Sequence, residues 1–171
     1  MRKKLLVIAG PSGCGKNYMT DLLVKEHGNW FKQMPQYTTR AKRTPDENTY
    51  YFVDKLHFKL IEDKLIAKTE IHGDFYGTLP TMQDNKIGIV IANKLGIENL
   101  KRTIDENNYQ VFYLGIDSEI PVKREDRDET YVEKERQGLK DLMDTWLVSK
   151  EDRFLTADDI VKELIDKDFL F

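Results

Sequence analysis

The sequence predicts an α/β domain built on a mainly parallel sheet, and three observations carry this. The runs Leu5–Ala9, Ile87–Ala92 and Val111–Ile116 are nearly continuously apolar, as parallel strands covered on both faces are. Helical apolar patterns lie between and after them. No Pro/Gly/Ser-rich linker, internal repeat or low-complexity stretch divides the chain.

In chain order, Leu5–Ala9 is the first buried strand. Tyr18–His27 follows as a helix with Met19, Leu22 and Leu23 on one face. Residues 32–86 interrupt the alternation with Tyr- and Phe-rich strand-like pieces, among them Tyr50–Val53 and Ile66–Ile71, with a helical Asp54–Asp63 between these two. That stretch reads as a small inserted subregion. Ile87–Ala92 resumes the core, and Leu95–Glu106 places Leu95, Leu100 and Ile104 on a helix. Val111–Ile116 is the next strand. Residues 119–136 are almost entirely charged, which fits a solvated helix face or a lid whose arginines close over phosphates. Tyr131–Leu147 reads as one helix striped by Val132, Leu139, Leu142, Met143 and Trp146. Asp158–Lys167 opens on two acids, as a helix N-terminus prefers, and carries Ile160, Val161, Leu164 and Ile165.

The 171 residues fit one domain, which buries roughly 70% of its unfolded surface and needs no staple. Lys+Arg 27 against Asp+Glu 30 gives a net charge of -3, which argues against nucleic acid held by a basic surface. The single Cys14 excludes an internal disulfide and a multi-cysteine zinc site. No apolar run approaches the roughly 20 residues that span a bilayer. Met1-Arg2-Lys3-Lys4 before Leu5–Ala9 mimics a signal peptide, but Gly10-Pro11-Ser12-Gly13 breaks the run too early. A cytoplasmic location is the expectation, with no membrane partner and a monomeric or dimeric state.

Gly10-Pro11-Ser12-Gly13-Cys14-Gly15-Lys16 directly follows the first strand and precedes the first helix. This is G-x-x-x-x-G-K in the context that gives the pattern meaning. Glycines let successive N–H groups turn inward as an anion nest, and the helix N-terminus adds its partial positive charge. The candidate ATP-binding residues are therefore Ser12, Gly13, Cys14, Gly15, Lys16 and Asn17, with Lys16 reaching the β- and γ-phosphates. The position after the lysine normally carries a Ser or Thr hydroxyl for Mg²⁺. Asn17 stands there, so it is the weak candidate metal ligand.

A second anion site is signalled by Tyr37-Thr38-Thr39-Arg40-Ala41-Lys42-Arg43, with Tyr50 following and Phe75-Tyr76-Gly77-Thr78 further on. Arginines bind phosphate bidentately and tyrosine hydroxyls complete such a cradle. Two anion sites suggest two phosphorylated ligands facing each other.

At this point the chain resembles the guanylate kinase family. The loop is similar to that family's GPSG-x-GK. TTRAKRTPDENTYYFV (residues 38–53) resembles its TTR-x-x-R segment ending in Y-x-F-V, about two residues shorter, and GDFYGT (residues 73–78) resembles its G-x-x-Y-G-[ST] turn. Ala157-Asp158-Asp159-Ile160 resembles the stretch before its last helix. The resemblance implies a P-loop kinase core with a parallel sheet flanked by helices, residues 1–31, 87–118 and 137–171. It adds an acceptor-binding subregion, residues 32–86, and a short lid, residues 119–136. It implies transfer of the γ-phosphate of ATP, with Mg²⁺, to GMP or dGMP. It puts Gln36, Arg40, Arg43, Tyr50, Tyr76 and Thr78 on the acceptor. Lys16, Arg40, Arg127 and Arg136 become the catalytic candidates, with Lys123 or Arg124 as further lid cations.

The departures concern guanine and metal. Gln36 stands where the family has a guanine-reading Ser, and Ala67 where it has a guanine-reading Glu; Glu70, three positions on, falls on the opposite face of a regular strand. Val90-Ile91-Ala92-Asn93 replaces the family's Asp-x-Asp strand. The expectation is a phosphorylated acceptor read with weaker guanine preference. The alternatives are a same-family kinase with another acceptor, such as another nucleoside monophosphate or a ribose phosphate, and a phosphate-binding pseudokinase or interaction module.

Overall fold

Nine strands and five helices follow one another along the described residues: β1 (Lys3–Ala9), α1 (Lys16–Glu26), β2 (Phe31–Gln33), β3 (Gln36–Thr38), β4 (Tyr51–Phe52), α2 (Lys55–Ile61), β5 (Ile66–Ile71), β6 (Asp74–Thr78), β7 (Ile87–Ile91), α3 (Lys94–Thr103), β8 (Tyr109–Ser118), α4 (Glu129–Lys140), β9 (Thr145–Ser149) and α5 (Ala157–Asp166). The structure is a computed structural model and describes residues 1–81, 85–122 and 128–170.

The strands form two sheets. The first is wholly parallel, in the order β2-β7-β1-β8-β9. Its centre is β1, in which Leu5 to Ala9 are fully buried. Strand alternation sends these side chains to opposite faces. Leu6 and Ile8 pack with Met19 and Leu23 of α1 and with Ile160 and Leu164 of α5. Leu5 and Val7 pack with Ile97 and Leu100 of α3 and with Leu139 of α4. This is why the run carries no polar residue. The α/β parallel architecture expected from the sequence is the one observed.

One element differs. The helix expected to run through Leu147 ends at Lys140, and Thr145–Ser149 is the edge strand β9. The Asp144 carboxylate accepts the Tyr113 N–H at 2.8 Å, and the Asp144 N–H donates to the Tyr113 carbonyl at 2.8 Å. That pair of bonds starts the β8–β9 ladder. The aromatic and β-branched Thr145-Trp146-Leu147-Val148 then favours the strand.

The second sheet runs β4-β3-β6-β5. β5 and β6 form a hairpin through His72 and Gly73, whose φ values of 51° and 82° are the left-handed pair a tight two-residue turn requires. β5 carries an irregularity between Ile66 and Thr69, with Ala67 at φ 52°. Ala67 itself packs into the core beside Val90, Ile97 and Leu100. The sheet docks on the C-terminal end of β7, where the Met34 N–H donates to the Ile89 carbonyl at 2.9 Å and the Gln36 side-chain amide donates to the Ile91 carbonyl at 2.7 Å. β2 belongs to the parallel sheet, so the crossing between sheets falls at Met34-Pro35. Among the described residues no helix is long and apolar enough to cross a membrane.

Candidate active site

The glycine loop begins where β1 ends, at the carboxyl edge of the parallel sheet, which is where ligands of such sheets bind. Gly13 (φ 78°) and Gly15 (φ 90°) adopt left-handed backbone, and a Cβ on Gly13 would lie 2.1 Å from the Val122 carbonyl oxygen. Glycine is therefore demanded twice. Gly15 is the N-cap of α1, and among the described residues no side chain caps that end. Lys16 folds back across the loop, its Nζ donating to the Gly10 carbonyl at 2.7 Å. Asn17 is exposed in the first turn of α1.

Two groups that sequence reasoning missed border this loop, and a third lies elsewhere. Glu135 on α4 accepts the Ser12 N–H (3.1 Å) and the Ser12 hydroxyl (2.8 Å) through one oxygen. Asp117, only 4% exposed, is the last residue but one of β8 and lies beside the loop. It accepts from Arg136 Nε (2.6 Å) and Nη2 (3.0 Å), from the Ser118 N–H (2.8 Å), from Trp146 Nε1 (3.3 Å) and from the Cys14 thiol (3.5 Å). Burial pushes the Asp117 carboxyl up, but Arg136 and the Ser118 N–H outweigh it and hold the carboxyl below its ordinary value. Arg136 thus lies against Asp117, with Glu133 accepting from its Nη1. Burial, then Asp117, raises the Cys14 thiol from 9.0 to about 11. Arg127, and with it Lys123 and Arg124, lies outside the described residues.

The acceptor candidates gather on the second sheet. Residues paired across it share a face, so Gln36 with Thr78, and Thr38 with Tyr76, mark one face. The Arg40 guanidinium carbon is 5.5 Å from the ring centroids of both Tyr50 and Phe52, and the Tyr50 and Tyr76 rings are 5.8 Å apart. The third missed group is Glu47. It accepts from Arg40 Nη2 (2.8 Å) and Nη1 (3.3 Å), and from the Arg43 N–H (2.7 Å). Burial, then Tyr76, raises the Tyr50 hydroxyl above its ordinary value, so it stays a donor near neutral pH. Arg43 enters this arrangement through its backbone and its side chain is exposed.

The structure therefore brings Arg40, Tyr50 and Tyr76 together, sets Gln36 and Thr78 side by side, and gathers Ser12, Gly13, Cys14, Gly15 and Lys16 in one loop. The β5 irregularity changes the facing of the residues after it. Thr69 pairs with Tyr76 and so shares the face of Gln36 and Thr78, while Glu70 pairs with Phe75 on the other. Asn93 caps α3 by accepting the Gly96 N–H at 2.9 Å.

A glycine loop joining the central strand of a parallel sheet to the first helix, beside a smaller antiparallel-containing sheet, defines a P-loop-type α/β kinase fold. The chain belongs to the guanylate kinase family, whose model, "Guanylate kinase", matches residues 2–160. Guanylate kinase from Synechocystis sp. is 37% identical over 112 residues, 60% of this chain and 58% of the relative. Guanylate kinase from Homo sapiens is 31% identical over 107 residues, 57% of this chain and 54% of the relative. The chain thus spans rather more than half the length of these curated relatives in its matches. The crystal structure of guanylate kinase from Anaplasma phagocytophilum superposes with a TM-score of 0.64 at 19% identity, over 97% of this chain and 86% of that one, a likeness of fold.

Proposed function

We propose that the chain transfers the γ-phosphoryl group of ATP to a nucleoside monophosphate, with GMP or dGMP the leading acceptor. The observation that supports this is the pairing of a glycine loop with a separate arginine–tyrosine cluster. The glycine loop with Lys16 stands at the end of β1. The Arg40–Tyr50–Tyr76 cluster stands on a sheet docked at the end of β7, the strand beside β1. Family membership and the guanylate kinase relatives support the same reading and do not favour the alternative acceptors or a pseudokinase.

Phosphoryl transfer needs little covalent chemistry from a protein; positioning and charge neutralisation do the work. In this reading the loop N–H groups and Lys16 hold the β- and γ-phosphates. Arg40 holds the acceptor phosphate, and the Tyr50 and Tyr76 hydroxyls donate to it. An acceptor phosphate oxygen then attacks the γ-phosphorus, the bond to the β-bridging oxygen breaks, and ADP leaves. Magnesium would enter with ATP as part of the substrate, and Asn17 would be the side chain to supply it an amide oxygen, whereas Asn93 is occupied as a cap and Asp117 by its donors.

Guanine recognition rests on Gln36 and Thr78. The Ile91 carbonyl accepts from the Gln36 amide nitrogen, which leaves the Gln36 oxygen to accept from a base N–H. The division of the chain into core, acceptor subregion and lid, and a cytoplasmic setting, belong to the same proposal. The test is a coupled ADP-release assay with MgATP and a panel of ribo- and deoxynucleoside monophosphates plus ribose phosphates. GMP or dGMP should give the highest kcat/KM. Absence of ADP release with every nucleoside monophosphate overturns the proposal.

A further inference from the structure

We propose that Glu135 is a self-inhibitory ligand of the glycine loop, its carboxylate standing in the place of a phosphate oxygen until a nucleotide displaces it. The inference rests on the reading that this loop binds a triphosphate. Through one oxygen, Glu135 accepts both the backbone N–H and the hydroxyl of Ser12, at 3.1 and 2.8 Å. These are the donor types a loop of this kind offers a phosphate, and a carboxylate satisfies them in the same way. Two anions on one set of donors repel, so the triphosphate and Glu135 exclude each other.

The rest of α4 makes the contact reproducible. The next residue, Arg136, is fixed on the buried Asp117, and Asp117 touches the loop at Cys14. The Val122 N–H also donates to the Gly13 carbonyl at 3.0 Å, which ties the segment after β8 to the loop. Glu135 can therefore leave Ser12 by turning its own side chain while Arg136 keeps α4 anchored. The apparent nucleotide affinity is lowered in proportion to the time Glu135 occupies the loop.

The test compares the parent chain with E135Q, E135A and K16A by calorimetric titration with ATP, and with inorganic triphosphate as a phosphate-only probe. E135Q keeps the size and an acceptor oxygen but removes the charge. E135A should bind both probes roughly tenfold tighter than the parent or more, with E135Q between. The gain should persist in 0.5 M salt, where a diffuse field effect is screened. If E135A and E135Q bind no tighter than the parent while K16A loses affinity, Glu135 merely orders Ser12 and the inference fails. If K16A binds ATP as well as the parent, the loop reading itself fails and takes the inference with it.

Discussion

Single residues at this site are set by their charged neighbours. Cys14 lies in the loop, yet burial and Asp117 hold its thiol at about 11, against 9.0 when unperturbed. The thiolate is the reactive form, so at pH 8 Cys14 should alkylate with iodoacetamide about a hundredfold more slowly than an open thiol. Asp117→Asn should speed it by removing a carboxylate that disfavours the thiolate. Equal rates in the native parent and in urea would refute the account. Glu47 shows the opposite effect. Hydrogen bonds from Arg40, then from the Arg43 N–H, lower its carboxyl from 4.5 to about 2. The folded chain binds this proton more weakly than the unfolded one. The stabilisation is therefore complete above about pH 4.5 and fades as pH falls toward 2. Urea midpoints at pH 3 and pH 6 should differ less in Glu47→Gln than in the parent. An unchanged difference would remove Glu47 from the acid response. Glu47 was legible in principle, since Arg40, Arg43 and Glu47 recur at short spacing. Glu135 and Asp117 were not, because one sits in a run of charges and the other lies near the end of an apolar strand, and neither gives a local signal of what it will touch.

At the scale of elements, the buried strands were the most legible part. Their runs are apolar because both faces are covered, and β1, β7 and β8 stand where the patterns put them, as does the only partly buried β5. The loop was equally plain, since strand, glycines, lysine and helix coincide. What failed was the border between α4 and β9. Leu142, Met143 and Trp146 continue the helical stripe of Val132 and Leu139, so a period of 3.6 runs on past the true end of the helix. Only the non-local bonds of Asp144 to Tyr113 settle the matter. The short β2, β3 and β6 depend likewise on partners far away in sequence. β9 also depends on one small residue. A Cβ on Gly115 would lie 2.1 Å from the Trp146 ring, which covers that position of β8. Gly115→Ala should displace Trp146, break its bond to Asp117 and cost about 1–3 kcal/mol, as overpacking does. Thermal unfolding checks this, and an unaltered midpoint would show that β9 can shift without loss.

For the whole molecule, the glycine loop belongs to the first sheet and the Arg40–Tyr50–Tyr76 cluster to the second, which docks on β7. A ligand that binds only the folded chain stabilises it by about 2.7 kcal/mol at a hundred times its Kd. In a chain of this size that raises the unfolding midpoint by roughly 5–11 °C. ATP and GMP should each produce such a rise. Arg40→Ala should abolish the GMP response and keep the ATP response, because its guanidinium belongs to the second sheet alone. Scanning fluorimetry with each ligand measures both. Loss of both responses in Arg40→Ala would mean that the sites are not separable. The inserted second sheet could be anticipated only as a Tyr- and Phe-rich interruption. Its strands run two to six residues and are fixed by pairing rather than by their own pattern.

The placement of β1 at the middle of the parallel sheet sets the order in which the molecule can assemble. Leu5 pairs with Gly88 on one side and with Val111 on the other, so the central strand has no sequence-local partner in its sheet. Closing such distant loops comes before any reward from pairing, which makes for slow acquisition of structure, on a scale of milliseconds to seconds. The outer strands can add only once that centre exists. Each outer edge carries its own reporter. Trp30 immediately precedes β2 and Trp146 lies within β9. A chain with one tryptophan replaced by phenylalanine therefore reports a single edge of the sheet. Refolding traces from the two variants read out which side of β1 is completed first.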